Sequence, residues 1–146
     1  KLDIVDSMFG QAWAELDDAA SELEASLPEA PRERLLSVGQ FWLDAMTSDP
    51  ERHALMNQRP VPGFTPSEEA YAASVRSIER LHRLFVGLGI TDPDASDLWT
   101  ALMAGLSSQQ NANDPGGTRW RRLLPRAIQM YADAVGLPPT DARSPR

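Results

Sequence analysis

Leu2, Val5, Phe9, Ala12, Leu16, Ala19 and Leu23 recur alternately three and four residues apart, and only an α-helix turns that spacing into one continuous stripe. A strand would scatter the same residues over both faces. The helical period returns in every later segment, and no alternating run is long enough to make a strand. The chain therefore predicts an all-α fold, a helical bundle of about six helices. It contains no internal repeat and no low-complexity block.

Prolines, glycines and capping residues divide the pattern. The first helix stops before Pro28, and the second opens at Pro31, where proline suits the first helical position, and runs to about Ser48 with Leu35, Val38, Trp42 and Ala45 on one side. Asp49 reads as the N-cap of a short third helix beginning at Pro50. The run "RPVPGF" cannot continue a helix. Thr65 and Glu68 have capping-box spacing, so a fourth helix is expected there, with Tyr71, Val75, Ile78, His82 and Phe85 as its inward stripe. Gly87 and Gly89 end it, and Asp92 is the expected N-cap of a fifth helix carrying Leu98, Trp99, Leu102, Met103 and Leu106. After the polar break "SSQQNANDPGG" comes the last helix, with Trp120, Leu124, Ile128, Tyr131 and Val135, closed by Gly136. Pro125 lies inside that pattern and predicts a kink or a late start. The expected division is one domain over residues 1–137 and a disordered tail over 138–146.

Composition removes several classes of function. A chain of 146 residues with 42% apolar content is large enough for a single core. Cysteine is absent, which excludes disulfides, thiolate metal sites and cysteine nucleophiles. No apolar run reaches the ~20 residues that span a bilayer, and the start is acidic where a signal peptide is basic or apolar, so a cytoplasmic protein without a membrane partner is expected. Acids outnumber basic residues 21 to 14. Such a chain is not expected to grip a nucleic-acid backbone by itself. Glu79 and His82 have the Glu-x-x-His spacing of a helical metal site, but the second pair that such a site requires is missing, and no serine sits in a nucleophile-elbow pattern. The arginines at 119, 121, 122 and 126 read as a solvated face. Neither catalysis nor a metal or other cofactor is expected.

Large, adaptable side chains are the stronger signal. Trp13, Trp42, Met46, Met56, Phe64, Tyr71, Trp99 and Met103 suit an apolar cavity that adjusts to a ligand, with His82, Gln109, Gln110 and Asn111 as polar groups at its edge. Trp42, Tyr71, Val75, Ile78, His82, Trp99 and Met103 come from three helices whose stripes must converge. The expected ligand-binding set is Trp13, Trp42, Met46, Met56, Tyr71, Val75, Ile78, His82, Trp99, Met103 and Gln110. A helical interaction module without a ligand, and a helical metal-dependent enzyme, are the alternative classes.

The run "QRPVPGFTPSEEAYAASV" and the later "ASDLWTALMAGLSSQQNANDPGGTRWRRLLPRAIQMYADAV" resemble the carboxy-terminal regulatory domain of the TetR/AcrR family of transcriptional regulators, in a branch with a Q-x-A-N-D-P-G-G-x-R-W segment. The likeness spans nearly the whole chain, and Lys1, Ile4 and Val5 are similar to the end of the family's linker. The resemblance implies a homodimer, a small hydrophobic effector, and DNA binding through a helix-turn-helix domain that would precede this region. It also implies that the last two helices pair with the same two of a second subunit as a four-helix bundle. Ala101, Ala104, Gly105 and Ser108 would permit close approach, and the interface would use Leu102, Gly105, Leu106, Gln109, Trp120, Leu124, Ile128 and Tyr131.

Overall fold

A computed structural model describes residues 1–58 and 60–140. They form α1 (Leu2–Glu24), α2 (Pro31–Ser48), α3 (Pro50–Asn57), α4 (Glu68–Gly87), α5 (Ala95–Asn113), a 3-10 turn (Arg121–Leu123) and α6 (Leu124–Ala134). No strand occurs among the described residues. Pro31 and Pro50 open their helices as expected, and the Asp49 carboxylate accepts from the Arg52 N–H at 2.9 Å to cap α3. Pro125 falls in the first turn of α6, so the last helix starts late and is not kinked there. None of the helices is long and apolar enough to cross a membrane.

Two helix starts differ from expectation. Thr65 and Glu68 do not form a capping box; Ser67 is the N-cap of α4, its Oγ accepting from the Ala70 N–H at 3.2 Å. The carboxylate that would normally answer from inside the helix comes from α1, where Asp6 accepts from both the N–H and the hydroxyl of Ser67 at 2.7 Å each. Those bonds, the hydroxyl first, hold the Asp6 carboxyl below its usual range. Asp92 is likewise not the N-cap of α5. It organises a turn, accepting from the Asp94 N–H at 2.8 Å, and the helix begins only at Ala95. The end of α4 follows a Schellman pattern: Gly89 has φ +73°, its N–H reaches the Val86 carbonyl, and the Ile90 N–H reaches that of Phe85.

The helices assemble in two groups. α1 lies along α4, while α2 packs on α5 and α6, and α3 touches both α1 and α2. One core, around Leu35, Leu43, Trp99, Leu124 and Ile128, fills the second group; the other, around Phe9, Trp13, Met46, Met56 and Phe64, lies under α1 and α4. Trp42 packs against both. Gly39 allows α2 to approach α6, since a Cβ there would stand 3.1 Å from Ile128 Cδ1. α4 joins the second group near its carboxyl end, where the rings of Phe85, Trp99 and Tyr131 meet with centroids 5.3 to 6.1 Å apart.

The inward face of α4 is not the predicted one. Ala70, Ala73, Ser74, Ser77 and Phe85 are buried, whereas Tyr71, Val75 and Ile78 are 45%, 37% and 48% exposed and His82 is exposed. The reason lies on the facing helix. α1 already contributes Phe9, Trp13 and Leu16 to the shared core, and two helices at ordinary packing distance cannot both place bulky side chains at one contact.

The carboxy-terminal segment is tied to α2 by Arg32. Its buried guanidinium donates to the carbonyls of Leu137 and Pro138 at 2.7 Å each, to Gln129 Oε1 at 2.8 Å and to Asp133 Oδ1 at 2.7 Å. Pro138 is thus anchored, and residues 141–146 of the expected disordered tail lie outside the described residues.

Candidate functional site

Beyond the Phe85–Trp99 contact, α4 and α5 are not closely packed on each other. The gap is a cleft of about 320 Å³, walled by Tyr71, Ser74, Ser77, Ile78 and Leu81 of α4 and by Trp99, Thr100, Met103, Ala104 and Ser107 of α5. Its floor comes from Phe9 and Trp13 of α1, Trp42 and Met46 of α2, and His53, Met56 and Asn57 of α3. This volume is at the small end of ligand sites, and the mixture of aromatic, thioether and a few polar groups is what such sites use.

The structure brings eight of the expected ligand-binding residues together there: Trp13, Trp42, Met46, Met56, Tyr71, Ile78, Trp99 and Met103. Val75 and His82 do not line it, because the rotation of α4 turns them outward. Gln110 does not line it either. Its side chain is buried at 1% exposure, and Oε1 accepts from the N–H groups of Trp120 and Arg121 at 2.8 and 3.0 Å while Nε2 donates to the Asp114 carbonyl. It is a structural pin for the turn after α5. Asp114 completes that turn by accepting from the Arg119 N–H at 2.9 Å, a bond that is the first cause of its lowered pKa. Gly116 has φ +74°, and a Cβ on Gly117 would collide with the Asp114 carboxylate, so neither glycine admits a side chain without strain. Arg121 ties the same turn to α2 through Asp44 and through Thr47, whose Oγ1 is 2.6 Å away.

The polar groups in the cleft wall have legible roles. Ser74 and Ser107 donate their hydroxyls back to the carbonyls of Tyr71 and Met103 at 2.7 and 2.8 Å, which leaves their oxygen lone pairs as acceptors. Trp13 Nε1 is buried and finds no acceptor among the described residues. His53, missed in the sequence because it sits singly on a short helix, is buried in the floor. Asn111 donates to the Met46 carbonyl at 3.0 Å and lies 3.2 Å from His53 Nδ1. With Nδ1 assigned as the acceptor, the neutral ring carries its hydrogen on Nε2.

Burial lowers the His53 pKa below its ordinary value. The unfolded chain then binds the proton more readily than the folded one, so stability is intact above about pH 6.5 and falls as the pH drops through that value towards the folded pKa. His53→Gln should flatten this part of a pH-stability curve. An imidazole titration by NMR with a midpoint at or above the ordinary histidine value would contradict the placement.

Glu79 and His82 are both exposed, and among the described residues no cluster of three or more His, Asp or Glu could hold a metal. The residues expected at a subunit interface separate into two groups. Leu106, Leu124, Ile128 and Tyr131 are buried in this chain's own core, with Leu124 at 0% and Ile128 at 1% exposure, and the Tyr131 hydroxyl donates to the Ala95 carbonyl at 2.8 Å. Those four are not available to a second subunit, because the apolar stripe of α6 turns towards α2 and α5 and Leu106 of α5 belongs to the same core. Trp120 is half-buried beside the Arg119 guanidinium, 5.3 Å from its ring centroid. Gly105 and Gln109 do reach the outside of α5, where Leu98 and Ala101 continue their row; Leu102 is half-buried against the core, and Met130 and Ala134 are exposed apolar positions of α6.

Comparison with known protein families, with curated proteins and with solved structures returns no match.

Proposed function

We propose that this chain is the effector-binding and dimerisation domain of a TetR-type transcriptional regulator. A small, largely apolar effector enters the cleft between α4 and α5 and favours one of two arrangements of a homodimer, and α1 passes that choice to a helix-turn-helix domain outside these residues. The observation that carries the reading is the cleft itself, floored by three other helices and mostly apolar. An effector there shifts the equilibrium only by its difference in affinity between the two arrangements. Leu2, Ile4 and Met8 support the relay, since they are exposed apolar residues on the first turns of α1, where the resemblance puts the junction with the DNA-reading domain. The acidic balance of the chain fits a division in which DNA contact belongs to that other domain.

The uncharged fluorophore N-phenylnaphthylamine tests the cleft. It should bind one per chain, quench tryptophan emission and raise the melting temperature. Ala104 is exposed on the rim, so Ala104→Trp should plug the opening without overpacking the core and weaken probe binding by about tenfold or more. Equal binding by parent and variant would remove the cleft from the argument.

The dimer is tested at Gly105, where a Cβ would meet nothing within 4 Å. Gly105→Arg should leave the fold intact and convert a dimer, seen by light scattering, into a monomer. A parent chain that is monomeric at every concentration would refute this part of the proposal. A second reading, a helical interaction module without a ligand, draws on the exposed row Tyr71, Val75 and Ile78. It predicts no thermal shift with any apolar compound.

A further inference from the structure

A second cavity, of about 310 Å³, lies between α1, α2 and α4. It shares Trp42, Ser77 and Leu81 with the cleft described above. The order along each helix shows how the two are related. On α1 the cleft uses Phe9 and Trp13 and the second cavity Ala20 to Glu24, with Leu27 just beyond the helix; on α2 they use Trp42 and Met46 against Arg34 to Trp42; on α4, Tyr71 to Leu81 against Ser77 to Leu84. The two lie in succession along the seam between the helix groups, and Trp42, Ser77 and Leu81 line both.

Their chemistry differs. The cleft lining holds no Asp, Glu, Lys or Arg, whereas the second cavity combines an apolar lining with Arg34, Arg80 and Arg83 and a single acid, Glu24. Arg80 is occupied, bound to Asp17 at 3.1 Å and to Glu24 at 2.8 Å. Arg34 uses Nε on the Pro28 carbonyl at 2.8 Å, and neither Arg34 nor Arg83 is paired with a carboxylate among the described residues. Two guanidinium groups without a carboxylate partner among the described residues thus line a largely apolar cavity on a chain whose net charge is -7.

We infer that the seam takes a linear aliphatic carboxylate. Its head lies between Arg34 and Arg83, and its tail passes Trp42 into the α4–α5 cleft. Guanidinium groups match a carboxylate in charge and geometry, and the apolar seam removes the tail from water. This rests on the reading of the cleft as an apolar effector site and names the effector's class.

Decanoate, decanol and butanoate, titrated against the full chain with tryptophan emission and melting temperature as readouts, test it. Decanoate should bind more tightly than either of the others. Arg34→Gln and Arg83→Gln should each weaken decanoate by about tenfold and leave decanol unchanged. Ala104→Trp, which blocks the far compartment, should weaken decanoate too. If decanol matches decanoate and both arginine variants are silent, the head-group assignment is overturned while the apolar cleft stands. If Ala104→Trp leaves decanoate untouched although it abolishes N-phenylnaphthylamine binding, the compartments are not joined and the channel is overturned. If neither ten-carbon compound binds and N-phenylnaphthylamine also fails, the cleft reading falls with it.

Discussion

Arg32→Ala should lower the unfolding free energy by about 3 to 5 kcal/mol, since two carbonyls lose their donor at about 1 to 3 kcal/mol each and the packed stem is lost, and roughly 10 °C of melting temperature should go with it in a chain of this length. The guanidinium is nearly enclosed, with 7% of its side chain exposed, and its four bonds reach α6 and the two residues that follow Gly136. Removing it strands the Leu137 and Pro138 carbonyls and frees the carboxy-terminal segment from α2. The ion pair is not the main cause. Asp133 is 70% exposed, so Asp133→Ala should cost under about 1 kcal/mol. Arg32→Lys should not rescue, because one ammonium cannot reproduce the planar fork that meets two carbonyls and two side chains. Comparable losses for Arg32→Ala and Asp133→Ala in chemical denaturation would show that the backbone carbonyls are not what Arg32 holds.

Gln110→Ala should be the next most damaging change, at about 2 to 4 kcal/mol, since it leaves the Trp120 and Arg121 N–H groups and the Asp114 carbonyl without their partner and opens a space in the packed interior. Gln110→Glu should be no remedy: the carboxylate accepts the two N–H groups but cannot donate to the Asp114 carbonyl. Ligand affinity is the decisive contrast. Under conditions where the variant remains folded, N-phenylnaphthylamine should bind it as tightly as the parent, because Gln110 lies outside the cleft. A variant of normal stability with tenfold weaker probe binding would return Gln110 to the ligand site, where its polarity and its place in the sequence first suggested it.

The amino-acid order by itself determined that the chain folds as helices and where most of them break, although α5 runs on through Ser107–Asn113 of the expected polar break, whose side chains α5 partly buries. Helical period, prolines in first turns and glycines past helix ends are local properties, and they put α1, α2 and α3 where they are found; for the last helix they left a kink or a late start open, and α6 begins at Leu124, after Trp120, which was expected on it. It also marked the residues large enough to frame a cavity. Only the tertiary structure decided which face of each helix meets which neighbour. The bulky row of α4 points outward because Phe9 and Trp13 of α1 already fill the shared core, leaving space for alanine and serine. The row of α6 points inward because Gly39 lets α2 close on it. Asp6 capping a helix more than sixty residues away, Gln110 pinning a turn, and His53 buried in the cleft floor have the same origin. Periodicity reports that a stripe will be buried, but the volumes and polar groups of the opposing surface select its partner, and that surface comes from residues distant along the chain.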